Sequence, residues 1–145
     1  MNTYDLMLLD CTLRDGGYVN GWEFGFEGAR KIIKFLTRAK IDVVEVGFLR
    51  NVEEYNPDIT VCNYIDELNK LLPKDTGNTM YSAMAMRSNY DIEKLAPYSG
   101  SGIEMIRVTA HDYDIEEGMD FAKEVKEKGY KLSINPINIM GYSDA

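Results

Sequence analysis

Histidine is almost missing from this chain of 145 residues: His111 is the only one. A metal centre built on a pair of imidazoles is therefore excluded within these residues. Cations are scarce as well, 16 Lys and Arg against 24 Asp and Glu, for a formal net charge of -8. That balance disfavours nucleic acid and anionic membrane as general partners, and a polyanionic substrate would need a local cation to approach. No apolar run reaches the roughly 20 residues that span a bilayer. Asp5 stands where a signal peptide would carry a basic region, and Asp10 interrupts the first apolar stretch. The two cysteines, Cys11 and Cys62, have no metal-like spacing. They are expected to be free thiols in a reducing compartment, which makes the expected location cytoplasmic. There is no P-loop, no G-x-G-x-x-G after the first strand and no G-x-S-x-G elbow. These gaps weaken nucleotide-binding and hydrolase readings.

What is present is an alternation of strand-like and helix-like segments. Leu6–Leu9 is a short continuous apolar run, as in a strand buried on both faces. Gly25–Ala39 has helical spacing, with Phe26, Ala29, Ile32, Ile33, Leu36 and Ala39 on one face. Ile41–Phe48 reads as a second strand, and a helix is expected from about Ile59 to Leu72, stopped by Pro73. Thr79–Met86 reads as strand three, Asp91–Ala96 as a short helix and Ile103–Thr109 as strand four. A clear amphipathic helix from Asp114 or Ile115 to Lys128 ends in lysines and Gly129. Tyr130–Ile134 is strand five. Such an order predicts a parallel α/β sheet with right-handed crossovers in one domain, residues 1–145. It fits either a doubly wound open sheet or the first part of an eight-stranded barrel, a fold of about 250 residues.

Chemistry-bearing residues gather where strands end. Asp10-Cys11-Thr12-Leu13-Arg14-Asp15-Gly16-Gly17-Tyr18 turns an apolar run into a dense polar cluster. A solvated loop is the competing reading of the adjacent Arg14 and Asp15. Glu45 lies inside the β-branched run Val43-Val44-Glu45-Val46-Gly47-Phe48. A carboxylate buried there needs a cation, because burial of an unpaired charge costs several kcal/mol. Arg14 at the end of the neighbouring strand is the natural partner, in a structural ion pair or a functional one. The same reasoning covers Arg107 in strand four, with Glu104 on the opposite face. His111 follows that strand and is either a rim residue of the site or a plain loop residue. Asn135, Asn138, Tyr142 and Ser143 crowd the end of strand five, where they line a pocket or form a polar loop.

The run Asp10-Cys11-Thr12-Leu13-Arg14-Asp15-Gly16 resembles the opening motif of the metal-dependent lyase and aldolase superfamily. That superfamily includes hydroxymethylglutaryl-CoA lyase, isopropylmalate synthase and 4-hydroxy-2-oxovalerate aldolase. Val44-Glu45-Val46-Gly47-Phe48 is similar to its second strand, and Ile106-Arg107-Val108-Thr109-Ala110-His111 to the fourth strand of the aldolase branch. The resemblance implies the amino-terminal part, about five β/α units, of a TIM (β/α)8 barrel. The activity it implies is making or breaking a carbon–carbon bond beside a carbonyl through an enolate, on a small oxoacid substrate. By position, Asp15 resembles the metal-binding aspartate, Arg14 the enolate-stabilising arginine and Glu45 its supporting glutamate, with a divalent cation, Mn²⁺ or Mg²⁺, as cofactor. Tyr18 stands where the oxovalerate aldolases have a histidine, and with His111 it is a candidate acid or base. Arg107, Thr109, Asn135 and Asn138 are candidate substrate-binding residues. Two departures matter. The family's remaining ligands, a His-x-His pair on a later strand, do not occur in this sequence. Gly17-Tyr18 also replaces the Glu-Gln that continues the motif in the synthases, which turns the reading from an acyl-CoA-condensing enzyme towards an aldolase. The alternative from another class is a non-catalytic binding or scaffold module that keeps the barrel rim. Either way, an incomplete barrel is expected to be inactive and metal-free alone, and to self-associate through its open edge.

Overall fold

Runs of β-branched and small apolar residues set the spine of the molecule. The computed structural model describes residues 6–141. Asp5, Tyr142 and Ser143, named above, lie outside the described residues. Along the chain come β1 (Leu9–Asp10), α1 (Thr12–Asp15), α2 (Gly17–Asn20), α3 (Phe26–Arg38) and β2 (Val43–Leu49). These are followed by β3 (Val61–Cys62), α4 (Ile65–Asn69), β4 (Met80–Ala85), β5 (Met105–Ala110), α5 (Ile115–Glu127) and β6 (Lys131–Pro136). Every strand pairing is parallel, in the order β1-β2-β4-β5-β6, with the short β3 branching off β2.

Two observations decide between the open sheet and the barrel. The strands follow one another across the sheet in chain order, so the reversal that a doubly wound sheet needs does not occur. The helices also share one face. Ala29 and Ile33 of α3, Ile65 and Leu68 of α4, and Phe121, Ala122 and Val125 of α5 belong to a single core with Val44, Val46, Ala83, Ala85, Ile106 and Val108. By alternation, Glu45, Ser82, Met84, Arg107 and Thr109 face the other way, into the hollow of the sheet. The sheet is thus a curled partial barrel with helices outside, the α/β class expected of the first units of a (β/α)8 fold.

Four sequence expectations change. Strand one is limited to Leu9–Asp10, and Leu6, Met7 and Leu8 are exposed rather than buried, because β1 is a sheet edge that pairs with β2 alone. Thr12–Asn20 is two helical turns instead of an open loop. The helix expected over Ile59–Leu72 is only Ile65–Asn69, since Val61 and Cys62 pair with Phe48 and Leu49 as a sixth strand. Gly47 makes this possible: a Cβ there would lie 2.3 Å from the Thr60 carbonyl oxygen. The segment expected as a short helix over Asp91–Ala96 is a single 3-10 turn, Ile92–Lys94.

Candidate active site

Charge concentrates at one point in the hollow. Glu45, in the middle of β2, has no exposed surface. Its Oε1 accepts from Arg14 Nε at 2.7 Å and its Oε2 from Arg107 Nη1 at 2.8 Å. Arg14 belongs to α1, just beyond the carboxyl end of β1, and Arg107 to β5, so the carboxylate bridges both sides of the sheet. A second carboxylate joins at the rim, where Asp15 Oδ1 accepts from Arg14 Nη1 at 2.8 Å. Two guanidiniums therefore face two carboxylates. Burial opposes the Arg14 charge, but the Glu45 bond and the charges of Glu45 and Asp15 outweigh it and raise the arginine's pKa. Arg14 is a permanent, fixed cation. Burial likewise raises the Cys11 thiol, against the lowering effect of Arg14, so Cys11 stays protonated beside the cluster.

The other candidates divide. Thr109 and Asn135 sit with Arg107: the Thr109 hydroxyl donates to the Asn135 carbonyl at 2.9 Å, and Arg107 Nη2 lies 3.4 Å from Asn135 Oδ1. Tyr18 is an exposed residue of α2 with its ring edge-on to Trp22, centroids 4.8 Å apart. His111 is not brought to the cluster. It stacks on Tyr113 and caps the 3-10 turn Asp112–Asp114, with its backbone N–H donating to Asp114 Oδ1. Asn138 is exposed, in a left-handed conformation (φ 56°) before a terminal turn. No hydrogen bond or ion pair among the described residues joins either one to Arg14, Glu45 or Arg107. Asp10 has a local task, accepting from the Thr12 backbone N–H and hydroxyl.

Sequence reading passed over Trp22, the single tryptophan. Its indole N–H donates to the Arg14 carbonyl at 2.7 Å, pinning the short helix that carries the arginine. Its backbone has φ 62°, a conformation that a bulky residue adopts only when its surroundings force it. Gly17 gives the ring its room, because a Cβ there would meet Trp22 Cδ1 at 2.0 Å. The one available signal was a lone tryptophan close behind the Arg-Asp-Gly-Gly turn.

A carboxylate that fixes two guanidiniums leaves donors ready for a developing oxyanion. A metal ion is a different matter. Among the described residues no three His, Cys, Asp or Glu side chains group to hold one. Asp15 offers a single carboxylate, with one oxygen already on Arg14. These residues do not make a metal site by themselves. A cavity of about 500 Å³, lined by Thr37, Arg38, Lys40, Asp42 and Thr79 among others, opens at the amino ends of β2 and β4, away from Arg14 and Arg107. Barrel chemistry uses the opposite rim.

No protein-family model and no curated protein matches the sequence. Among solved structures, the chain is similar to one described as the "N-terminal domain of a putative aldolase" from Bacteroides vulgatus, with a TM-score of 0.60 and 22% identity. The match covers 93% of this chain and 46% of that one, so the chain spans just under half of its neighbour's length. At this identity the likeness concerns the fold: a parallel partial barrel. No helix among the described residues is long and apolar enough to cross a membrane.

Proposed function

We propose that this chain is the amino-terminal half-barrel of an aldolase of the metal-dependent lyase and aldolase superfamily, acting on a 4-hydroxy-2-oxoacid. The observation that carries the reading is the convergence of Arg14 and Arg107 on the buried carboxylate of Glu45. In the cleavage direction a base takes the proton of the 4-hydroxyl, and the C3–C4 bond breaks. Its electron pair passes into the C2 carbonyl, giving an enolate, and the aldehyde departs. Protonation at C3 then yields the shorter 2-oxoacid. Charge appears on the C2 oxygen as that bond breaks, so a fixed, desolvated guanidinium lowers the barrier. Arg14 takes this role and Glu45 holds it in place. Arg107, Thr109 and Asn135 form the neighbouring wall that binds the substrate. Tyr18 is the rim hydroxyl assigned to proton transfer. A divalent cation, Mn²⁺ or Mg²⁺, would need most of its ligands from outside residues 6–141, with Asp15 contributing one. Free Cys11 and Cys62 suit a reducing cytoplasm.

The test is release of pyruvate from a 4-hydroxy-2-oxoacid by the full-length protein, with and without Mn²⁺. Arg14→Lys should lower kcat by about 100-fold, the usual cost of losing an oxyanion donor. No pyruvate from the folded wild-type protein, or an unchanged kcat in the variant, overturns the reading. The first of these leaves the scaffold-module alternative standing.

A further inference from the structure

Arg50 follows the carboxyl end of β2, on the same rim as Arg14. Its guanidinium carbon lies 5.6 Å from the Trp22 ring centroid and 5.1 Å from that of Phe48. Among the described residues it makes no ion pair, whereas Arg14 and Arg107 are both paired. At the cluster itself two guanidiniums meet two carboxylates, so its remaining N–H donors serve one end of the substrate and no net positive charge is left for a second anionic group. Arg50 is a guanidinium of this rim with no carboxylate partner among the described residues, and unlike Arg87, which is likewise unpaired, it is held on two aromatic rings. The aromatic faces restrain its planar head without consuming its N–H donors, which remain in the guanidinium plane for a carboxylate or phosphate. The Trp22 indole that Arg50 contacts also donates to the Arg14 carbonyl, and Phe48, Val61 and Met84 pack with Trp22, Val52 and Ile59 in one apolar cluster beside it.

We infer that Arg50, seated on Trp22 and Phe48, binds the distal anionic group of the substrate, a second carboxylate or a phosphate, and so selects oxoacids charged at both ends. This rests on the oxoacid reading above and adds the substrate class. Trp22 provides the readout, because its fluorescence is the only tryptophan signal of the chain.

The chain is titrated with 2-oxoglutarate, with pyruvate and with inorganic phosphate, following Trp22 emission. A charge-assisted, two-pronged contact predicts about tenfold tighter binding of 2-oxoglutarate than of pyruvate. Arg50→Met should abolish that preference and keep the pyruvate response. Arg50→Lys, which preserves the charge and serves if the methionine variant fails to fold, should retain only part of it. Phosphate binding tighter than 2-oxoglutarate, and equally dependent on Arg50, assigns the distal group as a phosphate. Equal binding of pyruvate and 2-oxoglutarate overturns the role of Arg50 and leaves the oxoacid reading intact. Absence of any response to both oxoacids overturns the two together.

Discussion

Replacing Glu45 by glutamine removes one charge and almost no volume. Glu45 is fully buried and accepts two charge-assisted hydrogen bonds, 2.7 and 2.8 Å long, from arginines that are themselves nearly covered. A glutamine keeps one acceptor oxygen, so one arginine retains its bond while the other meets an NH2 donor. Breaking a buried pair by removing one partner costs about 3–5 kcal/mol. The surviving bond puts Glu45→Gln near the lower end, about 3 kcal/mol. At roughly 3 °C per kcal/mol for a domain of this size, the melting midpoint should fall by about 9 °C. Circular dichroism melts at low and high protein concentration provide the measurement and separate folding from association. The triple variant Arg14→Met, Glu45→Leu, Arg107→Met should recover most of the loss, since it orphans no buried charge (only the exposed Asp15 loses a partner) and apolar replacement of a whole buried cluster is often tolerated. A Glu45→Gln midpoint within about 1 °C of wild type would show that the carboxylate is not the buried anchor described here.

Other outcomes follow from particular neighbours. The Ser82 hydroxyl is buried without a hydrogen-bond partner among the described residues, so Ser82→Ala should stabilise the fold by about 1 kcal/mol in urea unfolding, and a loss would reveal an overlooked partner. Gly17→Ala drives a methyl into the Trp22 ring; unfolding should become easier by about 1–3 kcal/mol with a red-shifted emission, and an unshifted spectrum would refute the tight seat. Burial pushes Tyr130 up to about 12, so the neutral phenol is favoured by the fold. Its contribution is complete below the ordinary tyrosine pKa of about 10 and is lost as the pH rises towards 12. Tyr130→Phe should flatten that alkaline decline in melting temperature, and an unchanged slope argues against it. Leu6 and Leu8 lie exposed beside the β1 edge, and β6 pairs with β5 alone, so the isolated chain should self-associate in sedimentation. A monomer at high concentration contradicts this.

Long periodic segments were legible without coordinates. α3, α5, β2, β4 and β5 each repeat their apolar residues often enough to declare a period. Residues 59–72 misled because Val61, Ile65, Leu68 and Leu72 recur at helical spacing, while the close approach of Thr60 to Gly47 lets β3 join the sheet beside β2. That event depends on tertiary contact rather than local pattern. At the site, the Arg14–Glu45 pairing was legible because a buried carboxylate must find a cation and adjacent strands bring one. The second partner, Arg107, was only half legible: its need for an anion was evident, but the curl that carries it across β4 to the same carboxylate is a property of the whole sheet. His111 attracted notice as the lone imidazole, yet its ring stacks on Tyr113 and its backbone N–H is engaged in a local turn. Trp22 and Arg50 went unseen because a left-handed tryptophan and a stacked guanidinium leave no periodic trace.

The two oxygens of Glu45 answer to opposite flanks of the molecule, one to the helix after the first strand and one to the fifth. The side chain is therefore a strut across the concavity, and its length sets how far apart those flanks can stand. Backbone ladders fix which strands are neighbours; this single carboxylate helps fix the radius at which they bend.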